Sequence, residues 1–205
     1  AAIVRATGAS VAPETRLHVL SIGISDYGPK ATGLDLDYAD DDADDFAAAL
    51  LQTQEGLYDD VRVQRLRDEK ANKEAILTAL GSMREAIVGG GNERDLAVVL
   101  FAGHGALIDG SFYLLPHGVD ATNKYAMAGT ALSIDTFRKA VHRLATQNRV
   151  LLLLDACRSG LATGDDPTVD VASLLRRVLA SANVTVLTSS QGSQLAQEQS
   201  SLRNG

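Results

Sequence analysis

The sequence predicts an α/β fold in which a mostly parallel central sheet carries helices on both of its faces. Short continuous apolar runs recur along the 205 residues, as in strands that are buried on both sides of a parallel sheet. Segments with helical apolar spacing alternate with these runs, which is the order that parallel strands require. Two of the runs end abruptly in glycine-rich polar turns, at the position where open α/β sheets carry their functional sites.

The first half of the chain carries two predicted strands and two predicted helices. Residues 17–24 are a continuous apolar run and predict the first strand. Residues 38–52 keep small apolar side chains and Phe46 on one stripe, which predicts a helix. Residues 61–66 alternate apolar and polar side chains, as a half-buried or edge strand would. Asn72 is the expected N-cap of the second helix, which a run of three glycines ends.

The second half repeats this alternation. Strands are predicted at 96–102, 111–116, 151–154 and 184–188, and helices from about Ser133 and around 171–179. The sequence contains no internal repeat and no interdomain linker. We therefore predict one domain over residues 17–205, preceded by an N-terminal extension over residues 1–16.

Composition excludes several classes of function. The chain has 45% apolar residues, enough for a sizeable core, and a net charge of −7. This charge argues against nucleic acid and anionic membranes as partners and favours cationic ones. No apolar stretch approaches the ~20 residues of a membrane-spanning helix, and residues 1–16 lack the build of a signal peptide. One cysteine cannot form an internal disulfide, so we expect a cytoplasmic protein in a reducing compartment.

Cys157 and His104 are the candidate catalytic residues. Each follows the carboxyl end of a buried run, and neighbouring parallel strands end at the same edge of a sheet. A thiol and an imidazole would therefore meet there, as a thiolate nucleophile with a histidine partner requires. A lone cysteine is often only a small buried apolar residue, but Arg158 and Ser159 beside Cys157 indicate a solvated turn. Glycines on both sides of His104 leave room for its ring.

Other patterns give weaker candidates. His18 and His142 are expected to be structural, and His117 is an outside candidate in a loop. A phosphatase loop is excluded because Thr163 stands where such a loop needs arginine. The chain has no zinc or redox spacing of cysteines and histidines. The glycines at 89–91 follow a helix and predict a helix stop, not a phosphate-binding loop.

Three segments resemble the caspase-like cysteine peptidases over roughly residues 17–198. Ala102–Gly105 (AGHG) and Asp155–Gly160 (DACRSG) are similar to the histidine and cysteine signatures of that family, about fifty residues apart. The second signature is closer to that of the metacaspases and their bacterial relatives, the orthocaspases, than to that of animal caspases. Leu36–Ala43 is similar to the Asn-Asp-Ala segment that follows the first strand of the family.

The expected activity is that of a cysteine endopeptidase with a Cys157–His104 dyad. Cys157 would attack a peptide carbonyl as a thiolate, and His104 would protonate the leaving amine. The backbone N–H groups of Gly105 and Cys157 are the expected oxyanion donors. The sequence assigns no third catalytic residue, and the resemblance implies none, because members of the family generally work with a dyad.

The expected positions of the Asp155 and Asp42 carboxylates near Cys157 predict cleavage after arginine or lysine. Asp155 lies two residues before Cys157, on the same side of the strand end. Asp42 lies at the rim of the apolar stripe of the first helix, although residues 35–45 hold seven aspartates and it could belong to a solvated acidic face. Two carboxylates there would bind a cationic side chain. The resemblance implies the same pocket, but metacaspase-like enzymes often carry serine where this chain has Ala102.

No cofactor or metal is predicted. Many metacaspases are activated by calcium, but the spacing of the candidate aspartates has no EF-hand order; these are Asp109, Asp120, Asp135, Asp165 and Asp166. The expected partners are protein or peptide substrates with basic residues. A C-terminal fragment is a further expected partner, because the resemblance implies another strand and helix after residue 188. We expect the chain to be a processed or truncated part of the domain.

Two alternatives to this enzyme remain open. The chain could be a catalytically silent caspase-like adaptor that acts through protein contacts, or a relative that cleaves after another residue. Autoprocessing is expected for the enzyme, because Arg203 lies in the polar tail where a chain is easily cut. Arg176 and Arg177 are less accessible targets because they lie in a predicted helix.

Overall fold

Five parallel strands form the main sheet of the computed structural model, which describes residues 15–52, 57–90, 92–146, 148–156 and 170–189. From one edge to the other these strands are β2 (Asp60–Arg67), β1 (Arg16–Gly23), β3 (Leu96–Ala102), β7 (Arg149–Asp155) and β8 (Val184–Thr188). The carboxyl ends of all five strands therefore lie at one edge of the sheet. The predicted parallel sheet is confirmed.

Helices pack on both faces of this sheet, as predicted. The helices are α1 (Ala39–Leu51), α2 (Lys73–Gly90), α3 (Lys124–Thr130), α4 (Ile134–Leu144) and α5 (Val171–Leu179). On one face, Phe46 and Leu50 of α1 pack against a buried cluster of Leu17, Val19, Val61 and Val98. The larger core on the other face joins the sheet to α2, α4 and α5. The chain therefore has an α/β/α architecture.

A second, smaller sheet follows β3. It is antiparallel and consists of β4 (Gly105–Ile108), β5 (Ser111–Leu114) and β6 (Leu132–Ser133). The prediction at 111–116 found β5 but missed β4, β6 and α3. Asp109 and Gly110 link β4 to β5 with positive φ angles of 48° and 75°, so this aspartate–glycine pair is a hairpin signal that could have revealed β4. The two residues of β6 are too few to show a pattern.

Most of the predicted boundaries lie within two residues of the observed ones. The strand predicted at 61–66 is β2, and it lies at the edge of the sheet as its alternating pattern indicated. Asn72 caps α2, because its side-chain oxygen accepts the N–H of Ala75 at 2.9 Å. The helix then runs to Gly90, within the glycine run that was expected to end it.

Gly23 allows α1 to lie directly against the end of β1. A Cβ atom at Gly23 would lie 2.5 Å from the carbonyl oxygen of Ala39 and 2.6 Å from the Cβ atom of Ala43. The hydroxyl of Ser21 donates to the carbonyl oxygen of Ala43 at 2.6 Å. The missing side chain at position 23 thus brings the first turns of α1 to the carboxyl edge of the sheet.

Asp40 fixes the start of α1 through its buried carboxylate. The Ser25 hydroxyl donates to Oδ1 of Asp40 at 2.6 Å, and the Arg67 guanidinium donates to Oδ2. Burial alone would raise the pKa of Asp40, but the hydrogen bonds from Ser25 and Arg67 outweigh it and hold the pKa below its ordinary value. Arg67 also binds Asp41 and Asp44. One arginine at the end of β2 therefore neutralises much of the acidic first turn.

We expect Gly23→Ala to lower the free energy of unfolding by about 1–3 kcal/mol, since the added methyl group would overlap backbone atoms of α1. Urea denaturation followed by circular dichroism measures this change. The matched control is Gly89→Ala in α2, where a Cβ atom meets nothing within 4 Å. That substitution should stabilise the helix by about 0.5–1 kcal/mol. Equal effects of the two substitutions would contradict the close packing of α1 on β1.

Candidate active site

His104 lies directly after β3, between the main sheet and the hairpin of the small sheet. Its half-buried ring places Nε2 2.9 Å from the carbonyl oxygen of Leu34, in the loop that follows β1. A carbonyl oxygen can only accept, so Nε2 carries the hydrogen in the neutral ring and Nδ1 holds the lone pair. The imidazole is thus arranged to take up a proton at Nδ1.

The backbone of His104 is bound as well as its ring. Its N–H donates to the hydroxyl oxygen of Tyr27 at 2.6 Å. The Tyr27 ring lies beside the imidazole, with 5.2 Å between the ring centroids and an angle of 32° between the planes. The sequence patterns gave no indication of Tyr27 or Leu34, because both act from a loop without regular spacing.

The strand register joins the two sequence motifs. Gly23, Ala102 and Asp155 are paired across β1, β3 and β7, at the carboxyl ends of these strands. The N–H of Gly103 donates to the carbonyl oxygen of Asp155 at 2.9 Å. Cys157 follows Asp155 by two residues and lies outside the described part of the chain. The structure therefore brings the segment that leads to Cys157 beside the histidine motif.

Asp155 has a half-buried side chain at this edge. Its Oδ1 accepts a hydrogen bond from the hydroxyl of Ser189, which immediately follows β8. Within the described ranges, Oδ2 of Asp155 has no hydrogen-bond partner. Ala102 is the neighbour of Asp155 on β3 and offers no hydroxyl, so the hydroxyl beside this carboxylate is that of Ser189, after the neighbouring strand β8 on the other side. Sequence reasoning missed Ser189, because only the strand pairing reveals it.

Asp42 lies in the first turn of α1 and is half-buried. The packing of this turn on Gly23 brings it to the edge that also carries Ala102 and Asp155. The neighbouring carboxylates Asp40, Asp41 and Asp44 bind Arg67, and the sequence patterns did not indicate this role for Arg67. The acidic segment is therefore partly a structural ion-pair cluster.

Gly105, one of the two predicted oxyanion donors, is the first residue of β4 and is buried. A Cβ atom at this position would overlap the ring of Phe112 on the paired strand β5. The aromatic ring thus requires glycine directly after His104. The other predicted donor, Cys157, lies outside the described residues.

The remaining histidines have contacts within the fold. His18 is buried on β1 with Nε2 3.5 Å from Oδ2 of Asp95, and its pKa is lowered because burial outweighs the effect of that carboxylate. Nε2 of His142 lies 3.0 Å from the carbonyl oxygen of Leu179. His117, the outside candidate, has Nδ1 2.7 Å from the carbonyl oxygen of Asp26. These contacts join separate segments of the chain.

Two of the aspartates considered for calcium form ion pairs with lysines. Asp109 binds Lys124 at 2.9 Å and Asp120 binds Lys30 at 3.0 Å. Hydrogen bonds from Thr122 and Lys30 lower the pKa of Asp120 to about 2. Within the described ranges, no three side chains of histidine, cysteine, aspartate or glutamate are grouped to hold a metal ion. Asp165 and Asp166 lie outside those ranges.

None of the described helices is long and apolar enough to cross a membrane.

Comparison with known proteins gives one family and a similar fold. The family model of the caspase domain, peptidase family C14, matches residues 16–204. No curated protein matches the chain. The crystal structure of a protein from Geobacter sulfurreducens is similar, with a TM-score of 0.56 and 21% sequence identity, over 71% of this chain and 51% of that one. The chain thus spans about half the length of that protein, and at this identity the likeness concerns the fold alone.

The family match includes nearly all of the described elements, from β1 to β8. It also includes both sequence motifs, and the observed parallel sheet agrees with it. The protein therefore belongs to the caspase-domain family C14, a family of cysteine peptidases.

Proposed function

We propose that the protein is a cysteine endopeptidase that cleaves after arginine or lysine through a dyad of Cys157 and His104. The observation that carries this proposal is the environment of His104. Its Nε2 is held by the Leu34 carbonyl oxygen, so Nδ1 is the basic nitrogen of the neutral ring, at the sheet edge from which the cysteine motif continues. Family membership supports a thiol nucleophile in that motif.

In this mechanism Cys157 transfers its proton to Nδ1 of His104 and attacks the peptide carbonyl carbon. The Leu34 carbonyl oxygen stabilises the imidazolium that forms, because it accepts the hydrogen on Nε2. His104 then protonates the leaving amine, and water hydrolyses the acyl-enzyme with His104 as base. The N–H groups of Gly105 and Cys157 would bind the oxyanion.

Specificity for a basic side chain follows from the carboxylates at the sheet edge. Oδ2 of Asp155 is without a hydrogen-bond partner in the described ranges, and Ser189 holds its Oδ1. A guanidinium or ammonium group would bind to Asp155, and Asp42 would add a second charge. Arg67 binds three other carboxylates of α1, which are those of Asp40, Asp41 and Asp44.

The two alternatives make different predictions for the same assay. A silent adaptor would not turn over a fluorogenic arginyl peptide at all. A peptidase with another preference would cleave a different member of a peptide panel that varies only the residue before the cleaved bond. We favour the basic specificity because the carboxylates of Asp155 and Asp42 lie at the edge where the substrate would bind.

The proposal also includes cytoplasmic localisation and a separate C-terminal fragment that completes the domain.

Cys157→Ala and His104→Ala should each abolish hydrolysis of a fluorogenic arginyl peptide, because each removes one half of the dyad. Circular dichroism should show that both variants remain folded. His117→Asn is the matched control, since asparagine can still donate to the Asp26 carbonyl oxygen that His117 contacts. It should keep activity within a few-fold. Residual activity above about a hundredth of wild type in Cys157→Ala would exclude this cysteine as the nucleophile.

Asp155→Ala should lower kcat/KM for arginyl substrates by about 30- to 5,000-fold, the equivalent of losing a desolvated charge pair. Asp42→Ala should have the same effect to a smaller extent. Asp45→Ala provides the control on the same helix, because Asp45 is exposed, and it should change kcat/KM by less than about threefold. A wild-type preference for aspartyl substrates would show that the pocket argument is wrong.

Active enzyme that carries its full C-terminal region should cut itself after Arg203, in the polar tail of the sequence, or after an exposed basic residue elsewhere. Arg176 is a poorer target because it lies in α5, where its guanidinium binds Ser173 and Thr188. Mass spectrometry after long incubation, with and without calcium, measures the products. Cys157→Ala should stay whole, and Arg203→Ala should remove the corresponding cut. An intact mass for the active enzyme would contradict self-processing.

A further inference from the structure

We infer that Tyr27 is a positioning residue for His104, and that its hydroxyl group is needed for the rate of the reaction. This inference rests on the proposed role of His104 as general acid and base. Tyr27 is fully buried at 0% exposure. It therefore acts on the reaction through His104 and not through the substrate.

Two contacts connect Tyr27 to His104. The Tyr27 hydroxyl oxygen accepts the backbone N–H of His104 at 2.6 Å, and the two rings lie 5.2 Å apart between centroids. Phenylalanine would fill the core equally well and would keep the ring contact. Core packing therefore does not account for the hydroxyl group of Tyr27. Its observed role is to accept the hydrogen bond from the backbone N–H of His104.

Gly103 shows how closely the turn approaches this hydroxyl. A Cβ atom at Gly103 would lie 2.7 Å from the hydroxyl oxygen of Tyr27, and the φ angle of +154° at Gly103 is one that other residues rarely adopt. The path of the chain before His104 is thus compatible with Tyr27 only when position 103 has no side chain.

The loop that carries Tyr27 holds the imidazole at a second point. Leu34 belongs to the same loop and accepts from Nε2 of the ring. The loop is itself anchored, since Asp35 accepts the N–H of Tyr27 at 3.1 Å and Gly118 donates to the Tyr27 carbonyl oxygen at 3.1 Å. One anchored loop therefore binds His104 at two points, its backbone N–H and Nε2 of its ring. These two contacts fix the direction of Nδ1.

Tyr27→Phe tests this inference directly, because it removes one oxygen atom and keeps the ring. We expect kcat for the fluorogenic arginyl peptide to fall about 10- to 100-fold, as for a small misplacement of a reacting group. KM should change less than about twofold, since the substrate pocket is untouched. Hydrogen exchange of the His104 amide should become at least about tenfold faster, because its acceptor is lost. The control is Tyr113→Phe, a half-buried tyrosine whose hydroxyl has no hydrogen bond in the described ranges.

A double-mutant cycle gives a second test that does not depend on Tyr27→Phe alone. Gly103→Ala should also lower kcat, because its methyl group would press on the Tyr27 hydroxyl. Adding Tyr27→Phe to Gly103→Ala removes this overlap but keeps the unfavourable φ angle of position 103, so the double variant should regain kcat only up to the level of Tyr27→Phe. If the Tyr27 hydroxyl served only the stability of the fold, the variants would change the melting temperature, and the double variant would not regain kcat.

The outcomes separate the inference from the proposed function. A wild-type enzyme that hydrolyses no peptide would overturn the proposed function and the inference with it. An active wild type with an unchanged kcat in Tyr27→Phe would overturn the inference alone. Faster exchange of the His104 amide with an unchanged kcat would do the same, because the bond would then exist without serving catalysis.

Discussion

The pairing of β3 with β7 is the constraint on which the rest of the site depends. Its register sets Ala102 beside Asp155 and lets Gly103 donate to the Asp155 carbonyl oxygen. Leucines cover both faces of β7, since Leu152 and Leu154 belong to the larger core and Leu151 and Leu153 pack against the cluster on the other face. The register of this pairing thus determines which residues of the two motifs become neighbours.

One arginine, Arg67, is placed so that it neutralises several aspartates at the same edge of the sheet. Arg67 ends β2 beside Gly23 and binds three carboxylates near the start of α1. Asp40 is the most buried of these, and its serine and arginine partners offset the penalty of burial. An acidic segment can therefore begin a helix against the sheet without strong repulsion, and the positive end of the helix dipole favours the same charges.

The main sheet and the location of His104 could be predicted because both depend on local patterns. Buried parallel strands appear as apolar runs, and a functional residue after such a run can be recognised without a structure. Tyr27, Leu34 and Ser189 could not be found in this way. Tyr27 and Leu34 each contribute one oxygen atom from the loop after β1, and Ser189 contributes one from the end of β8. A backbone carbonyl such as that of Leu34 has no sequence signature at all. Cys157 stays a prediction, because it lies beyond the described end of β7.

The order of the strands also determines when such a site can form. The small sheet and the helices α3 and α4 lie between β3 and β7 in the chain, so the pairing of these two strands closes a long loop. Loop closure of this kind slows folding, since entropy is lost before the contacts form. On the ribosome, the strand that leads to His104 emerges well before the one that leads to Cys157. Under the proposed function, an incomplete chain that lacks the Cys157 segment cannot cut itself.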